Sequence, residues 1–315
     1  MNNDIYARAR VEIERRRSSA ISLAEARNAL LAEESEEIKE IDKELSRTGL
    51  SLFKIACEGG DIAPLKERNQ ALVKKRREII VSLGYPADYT DLHYTCKECS
   101  DTGFVGDGTK MCNCFKELVV KERIAASGIG KLIEKQSFEN FDLSVYSYDE
   151  SVQTKMRANL AAAKNYVKNF GKDRGNLLLI GSTGTGKTHI STAIARELIH
   201  KGHDVIYDSA QNIISDFESD RFRSGYGTAE PKSAKHLECE LLIIDDLGTE
   251  FASQFTLSTI YNLLNTRQNK GLSTIISTNL SPAELASRYE DRVYSRIIGS
   301  GCKVLAFVGK DKRVN

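Results

Sequence analysis

The second half of the chain alternates short apolar runs with segments in which apolar residues recur at helical spacing. The apolar runs predict strands at 177–180, 205–207, 241–246, 273–279 and 303–308. Strands of a parallel sheet are buried on both faces and are therefore apolar along their whole length. The helical spacing predicts helices at 151–170, 189–199, 213–223 and 290–297. This order of elements indicates an α/β fold built on a parallel sheet.

The first third of the chain has a different pattern. Residues 7–46 contain no Pro or Gly, and apolar residues follow a heptad spacing from Leu31 to Leu45. The pattern predicts one long helix that ends at Thr48-Gly49. A second helix is predicted over residues 62–83, with a proline in its first turn and a glycine after its end.

A segment of mixed character connects these two parts. Residues 115–126 have a helical pattern, whereas residues 137–148 are aromatic and polar without a clear period. We expect the latter to lie extended along the edge of the next domain. The resulting domain prediction is a helical, cysteine-containing domain at 1–115, a linker at 116–150 and an α/β domain at 151–315.

Composition narrows the functional classes. The net charge is +1 over 315 residues, which does not indicate a globally basic nucleic-acid binder. The basic run Lys74–Arg77 is either a local nucleic-acid patch or, as we favour, a solvated helix face. No apolar run is long enough to span a membrane, and Met1–Arg17 lacks the apolar core of a secretory signal. We therefore expect a cytoplasmic protein that does not associate with membranes.

Four of the seven cysteines cluster. Cys96 and Cys99 are separated from Cys112 and Cys114 by twelve residues that contain three glycines. Two close pairs of thiolates are typical of a closed, tetrahedral structural Zn²⁺ site, which folds segments too small to fold alone. The alternatives are a redox pair or unrelated thiols, and His93 is a possible substitute ligand.

A glycine-rich loop follows the first apolar run. It has the P-loop pattern G-x-x-x-x-G-K-T and directly precedes a predicted helix; its residues are Gly181, Ser182, Thr183, Gly184, Thr185, Gly186, Lys187 and Thr188. In a strand–loop–helix context, backbone N–H groups and the helix N-terminus face a bound phosphate chain. We expect Lys187 to reach the β- and γ-phosphates of ATP and Thr188 to bind Mg²⁺.

Polar side chains end two other predicted strands. Asp245 and Asp246 follow the run 241–244, at the end where open α/β sheets bind their ligands. Asp245 is a candidate Mg²⁺ ligand, and Asp246 is a candidate base for the attacking water, with Glu250 a weaker alternative. Asn279 either orients that water or contacts the γ-phosphate, or simply opens a turn.

The run Arg221-Phe222-Arg223-Ser224-Gly225-Tyr226 interleaves cations with aromatic residues. Such a composition can stack bases and pair with phosphates. A helix end that packs its aromatic residues inward would have the same composition, and the sequence does not separate the two.

Taken together, these motifs resemble the AAA+ superfamily, and in particular the replicative-helicase loaders of the DnaC/DnaI type and the related IstB transposition ATPases. The resemblance is carried by Gly181–Thr188, Leu241–Gly248, Ser277–Asn279, Ser295-Arg296 and Phe138–Phe141, and covers residues 137–315. A helical region with a zinc knuckle ahead of the ATPase domain is similar to the DnaI branch.

The resemblance implies a sheet of order 5-1-4-3-2 without a C-terminal helical lid, and head-to-tail self-association. It implies that Asn279 is sensor 1, that Arg313 is sensor 2 and that Arg296 is the arginine finger, with Arg292 as the second candidate. It also places Phe222 and Tyr226 in an insertion that touches single-stranded DNA.

The implied function is ATP-dependent loading of the replicative DNA helicase, with the helicase bound by the N-terminal domain. Because Asp246 stands where most active AAA+ ATPases have Glu, we expect slow, switch-like hydrolysis. The alternatives are an IstB-like ATPase that acts with a transposase on DNA, a P-loop kinase of a small molecule, and a zinc-dependent interaction module on an inert P-loop domain.

Overall fold

The structure is a computed structural model, and it describes residues 2–58, 60–172, 175–222, 231–299 and 301–311. The chain forms two compact units, one of residues 7–116 and one of residues 1–6 and 117–315. Residues 117–150, which we expected to be a linker, belong to the second unit. Of the helices in the described ranges, none is both long and apolar enough to cross a membrane.

The unit of residues 7–116 is mainly helical. Its helices are α1 (Asn2–Glu34), α2 (Glu36–Cys57), α3 (Ala63–Ser82) and the start of α4 (Asn113–Ala126). Residues 2–6 of α1 and residues 117–126 of α4 belong to the other unit. Leu31, Ile38 and Ile80 form its apolar cluster and are fully buried. A short antiparallel pair, β1 (Phe104–Val105) and β2 (Lys110–Met111), precedes α4.

The prediction of one helix over residues 7–46 is wrong, because the helix is interrupted at Ser35. The Ser35 hydroxyl accepts the N–H of Ile38 at 3.3 Å, as an N-cap does. Two glutamates follow in the first turn of α2, where they favour a helix start. The predicted stop also fails: α2 runs through Thr48-Gly49, and the Thr48 hydroxyl bonds the carbonyl of Glu44 at 2.9 Å.

The basic run on α3 is mostly ion-paired within this unit. Lys75 lies 2.7 Å from Glu37, Arg76 lies 2.6 Å from Asp42, and Arg77 lies 3.3 Å from Asp91. These carboxylates neutralise three of the four cations. The arrangement favours a solvated, ion-paired face over a nucleic-acid patch.

The other unit is built on a five-stranded parallel sheet. Its strands are β3 (Asn176–Ile180), β4 (Val205–Ser209), β5 (Leu241–Leu247), β6 (Ser273–Thr278) and β7 (Cys302–Ala306). They lie in the order β4-β5-β6-β3-β7, which is 5-1-4-3-2 when the five strands are numbered along the chain. Buried clusters cover both faces, so the predicted α/β class is confirmed. After β7 the described residues, which end at Asp311, contain no helix.

Seven helices accompany this sheet: α5 (Leu132–Lys135), α6 (Glu150–Asn169), α7 (Lys187–His200), α8 (Ala210–Arg221), α9 (Ala234–Glu238), α10 (Gln254–Asn269) and α11 (Pro282–Ile297). The sequence pattern did not predict α5, α9, α10 or the first half of α11. Helix α11 is kinked at Glu290, whose φ of 55° and ψ of 162° are not helical. The predicted helix at 290–297 is the part after this kink.

Residues 137–148 pack under the P-loop, so the predicted extended edge segment is wrong. The segment forms turns and a 3-10 helix (Ser144–Tyr146), and three of its four aromatic residues, Phe138, Phe141 and Tyr146, are buried. The Tyr146 hydroxyl donates to the carbonyl of Thr185 at 2.9 Å. This aromatic support fixes the back of the phosphate-binding loop.

Both edge strands carry a polar contact from an earlier segment. On β4, the Tyr207 N–H donates to the carbonyl of Ser127 at 2.7 Å. Gly128 follows with a φ of +80°, and a Cβ there would lie 2.4 Å from the Tyr207 carbonyl oxygen. On β7, the side-chain amide of Asn159 donates to the carbonyl of Ala306 at 2.8 Å.

One buried arginine ties together the amino ends of β5 and β6. Arg267 on α10 is fully buried. Its guanidinium donates to the carbonyls of His236 at 2.8 Å, Cys239 at 3.0 Å and Ser273 at 2.5 Å, and to the Thr274 hydroxyl at 3.1 Å. One planar group thus satisfies several backbone acceptors that water does not reach.

We expect Arg267→Ala to lower the free energy of unfolding by about 3 kcal/mol, because it leaves several buried carbonyls without a donor. Urea unfolding followed by circular dichroism measures this change. Lys270→Ala, at the exposed end of the same helix, is the matched control. A loss for Arg267→Ala no larger than that of the control would contradict the role of this side chain.

Candidate nucleotide-binding site

The P-loop joins the end of β3 to the start of α7, as predicted. Gly186 is the N-cap of α7 with a φ of +100°, and a Cβ at this position would lie 3.0 Å from the Phe141 ring. Gly181 lies against the backbone after β7, where a Cβ would lie 2.1 Å from the Phe307 carbonyl oxygen. Glycine is therefore required at both positions. The loop leaves the first N–H groups of a 14-residue helix at its inner edge.

Lys187 and Asn279 meet in this site. The Lys187 ammonium is buried and donates to the carbonyls of Gly181 at 2.6 Å and Ser182 at 2.9 Å, and to Asn279 Oδ1 at 2.6 Å. The Asn279 side chain therefore faces the P-loop lysine, which supports the phosphate-contact interpretation over a mere turn residue.

Asp245 lies beside Thr188, with hydroxyl groups around its carboxylate. Oδ2 accepts from the Tyr207 hydroxyl at 2.5 Å, and the Thr188 hydroxyl lies 3.5 Å from the same oxygen. Oδ1 accepts from the Ser277 hydroxyl. Burial and the neighbouring Asp245 charge raise the pKa of Tyr207 above its ordinary value, so this phenol remains a donor at neutral pH. Thr188 and Asp245 are thus positioned as a pair that fits a magnesium ion.

A bulge in β5 places Asp246. Ile244 pairs with Ile276 and Leu247 pairs with Thr278, so two residues of β5 oppose the single residue Ser277 of β6. Asp246 takes a φ of +53°, and its N–H donates to the Ser277 hydroxyl at 3.1 Å. Such bulges re-aim side chains, and aspartate is among the residues most often found at positive φ.

Lys187, Thr188, Asp246 and Asn279 line one cleft of about 510 Å³. It extends from Asp246 and Asn279, past the P-loop residues Thr183 to His189, to Leu132 and Gln136. Leu132 lies in α5 and Gln136 directly follows it. The sequence did not predict that they line the site, because a four-residue helix far from the P-loop motif carries no local signal that it returns to that loop.

Glu250 does not reach the cleft. Its buried carboxylate accepts the N–H of Gly248 at 2.8 Å and the hydroxyl of Tyr289. Burial and this hydrogen bond raise the pKa of Tyr289. Because its oxygens are engaged in the β5–α11 packing, Glu250 is not a suitable base for a water in the cleft.

The candidate arginines lie on the last two turns of α11. Arg296 donates to Gln268 Oε1 at 3.1 Å and lies 6.0 Å from the Tyr261 ring centre. Arg292 is exposed and forms no ion pair or hydrogen bond with any described residue. Arg313 lies outside the described residues, as does Tyr226.

The cation–aromatic run is partly described. Phe222 is 73% exposed, so it does not pack inward. The Arg221 guanidinium lies 5.9 Å from its ring centre and 5.3 Å from that of Phe255. Phe251, just ahead of α10, is 86% exposed. Arg223 to Tyr226 lie outside the described residues.

The four clustered cysteines converge in the unit of residues 7–116. Cys96 Sγ lies 3.7 Å from Cys112 Sγ, Cys99 Sγ lies 3.5 Å from Cys114 Sγ, and the four sulfurs lie within 4.8 Å of one another. Zinc–sulfur bonds of about 2.3 Å in a tetrahedron require sulfurs about 3.8 Å apart, so the set fits the ion. His93 instead bonds the carbonyl of Asp88 at 3.0 Å and is not part of the cluster.

Residues 120–299 match the family described as IstB-like ATP binding protein. The chain is 30% identical to the replicative helicase loader DnaC of Escherichia coli (strain K12) over 172 residues, which are 54% of this chain and 66% of that protein. It is 27% identical to the phage-like element PBSX protein XkdC of Bacillus subtilis (strain 168), over 67% of this chain and 81% of that protein. A crystal structure of the DnaC helicase loader is similar over 49% of this chain and 90% of that chain, with 26% identity and a TM-score of 0.45.

The family match covers more than half of the chain and contains the P-loop, the Asp245-Asp246 bulge and Asn279. The protein therefore belongs to the IstB-like ATP-binding family, as a AAA+ protein of the DnaC/DnaI type.

Proposed function

We propose that the protein is an ATP-hydrolysing loader of the replicative DNA helicase. The observation that carries the ATPase part is the convergence of Lys187, Thr188, Asp246 and Asn279 on one cleft, with the Asp245 carboxylate 3.5 Å from the Thr188 hydroxyl. The relatives named helicase loaders support the biological role. The N-terminal unit, which lies outside the family match, is proposed to bind the helicase, and the exposed Phe222 region to bind single-stranded DNA.

In the proposed reaction, the P-loop N–H groups and Lys187 hold the phosphate chain. Thr188 and Asp245 would hold Mg²⁺, which would neutralise negative charge on the phosphate chain. Asp246 accepts the proton of the attacking water, and Asn279 orients that water or the γ-phosphate. Arg296 and Arg313 are assigned to the transition state as the arginine finger and sensor 2.

Asp246→Asn should abolish hydrolysis while leaving ATP binding intact. Loss of a general base costs about 10² to 10⁴ in rate, and Asn tolerates the positive φ at this position as well as Asp does. Lys187→Ala should instead lose ATP binding itself. Fluorescent-ATP titration and phosphate release measure the two steps separately. An unchanged hydrolysis rate in Asp246→Asn would refute its role as the base.

In this proposal, the arginine finger of one copy of the chain acts at the nucleotide bound to another copy. Mixing two inactive variants tests whether the two groups come from different copies. Arg296→Ala retains its P-loop, and Lys187→Ala retains its arginine. We expect each variant alone to be inactive and a mixture to recover part of the wild-type rate. In the mixture, some interfaces combine the intact Lys187 of one variant with the intact Arg296 of the other. For comparison, Arg292→Ala replaces Arg296→Ala in the same experiment. The arginine finger would be Arg292 if Arg296→Ala alone were fully active and Arg292→Ala were active only when mixed with Lys187→Ala.

We propose that Cys96, Cys99, Cys112 and Cys114 bind one structural Zn²⁺ and that this ion folds the helicase-docking unit. Elemental analysis should give about one zinc per chain. Cys99→Ser should lose the zinc and the association with the replicative helicase of the same organism, whereas Cys57→Ser, at an exposed single cysteine, should keep both.

Gel filtration of the full chain with that helicase at micromolar concentration tests the docking. No complex with zinc-loaded protein would refute the loader proposal. Association with a transposase instead would assign the protein to the IstB-like alternative, which agrees with the description of the matched family.

A further inference from the structure

We infer that Tyr207 and Ser277 are positioning residues that set the magnesium requirement of nucleotide binding, by holding the Asp245 carboxylate from two neighbouring strands. This inference rests on the proposed ATP site and concerns two residues to which the sequence motifs assign no role. Tyr207 lies on β4, Ser277 lies on β6, and Asp245 lies on β5 between them.

A carboxylate on a strand end needs such support. The last torsion of an aspartate side chain has a broad minimum, so packing alone does not fix the plane of its oxygens. Here each oxygen has its own donor: the Tyr207 hydroxyl on Oδ2 at 2.5 Å and the Ser277 hydroxyl on Oδ1. Two hydrogen bonds from opposite strands fix both the rotation and the tilt of the group.

The Ser277 hydroxyl has a second role at the same place. This hydroxyl donates to Asp245 and accepts the N–H of Asp246 at 3.1 Å. Ser277 is also the single residue of β6 opposite the bulge. Loss of this hydroxyl therefore leaves Oδ1 of Asp245 without its donor and the bulge without its cross-strand acceptor. Ser277 is fully buried, so water does not replace it.

The chemistry of the donors suits a metal site. Both are neutral hydroxyls, and no basic side chain in the described part of the chain forms an ion pair with Asp245. The carboxylate is thus oriented without being neutralised, and its charge stays available to a cation. Hydrogen-bond partners of metal-ligating groups typically affect metal affinity 10- to 100-fold.

The test is a binding titration that involves no hydrolysis. Binding of a fluorescent, non-hydrolysable ATP analogue to the full chain is measured over a range of Mg²⁺ concentrations, and Mn²⁺ binding to the same complex is followed by electron paramagnetic resonance. Tyr207→Phe and Ser277→Ala should each raise the half-saturating metal concentration about tenfold. Binding of the analogue in EDTA should equal that of the wild type.

The controls separate positioning from loss of structure. Ser277→Thr keeps the hydroxyl and should keep the wild-type midpoint. Tyr166→Phe removes a hydroxyl bonded to the Gly175 carbonyl at 3.1 Å, and Ser258→Ala removes one on α10, so neither should shift the midpoint. Shifts below twofold in folded Tyr207→Phe and Ser277→Ala would overturn the inference, whereas a wild type that binds no nucleotide would overturn the proposed function instead.

Discussion

The parallel pairing of β3, β6 and β5 is the constraint on which the whole site depends. Ile180 pairs with Thr278, and Leu247 pairs with Thr278 from the other side, so the three strands end together. The P-loop and Asn279 follow the ends of β3 and β6 directly, and the two aspartates lie at the end of β5, just before Leu247. A slip of one residue in either pairing would turn every side chain to the opposite face and would separate Lys187 from Asn279. Arg267 holds the other ends of β5 and β6, where no ligand group lies, and so helps to keep this register.

Those parts of the site that depend on local chemistry could be predicted from the sequence. The P-loop pattern, the apolar strand before it and the acidic pair near the end of β5 each require only neighbouring residues, and the structure brings them together. The bulge could not be predicted. In a regular strand, Asp245 and Asp246 would point to opposite faces, and only the pairing with Ser277 shows how both serve one site. Tyr207 belongs to no motif, and the Ser277–Asn279 motif assigns a role only to Asn279, so the contacts of Tyr207 and Ser277 with Asp245 follow only from the strand pairing.

The errors in the predicted elements have the same origin. Ser35 and the two glutamates after it are a local signal for a helix start, but the heptad pattern around them led to the prediction of a single helix. Thr48-Gly49, the predicted stop, remains helical because it lies inside α2. The bend at Glu290 and the burial of residues 137–148 beneath the P-loop depend on packing between distant segments. Local preference is a weak guide where tertiary contacts satisfy the backbone.

The polar contacts on β4 and β7 also restrict how copies of this chain can assemble. Ser127 bonds one outer strand and Asn159 bonds the other, so on each border of the sheet one backbone group is already engaged. Strand addition, the route by which exposed sheets polymerise or aggregate, uses a continuous row of such groups and is disfavoured at these positions. Copies of this chain that join through side-chain surfaces instead leave the register of the sheet undisturbed as subunits associate or separate.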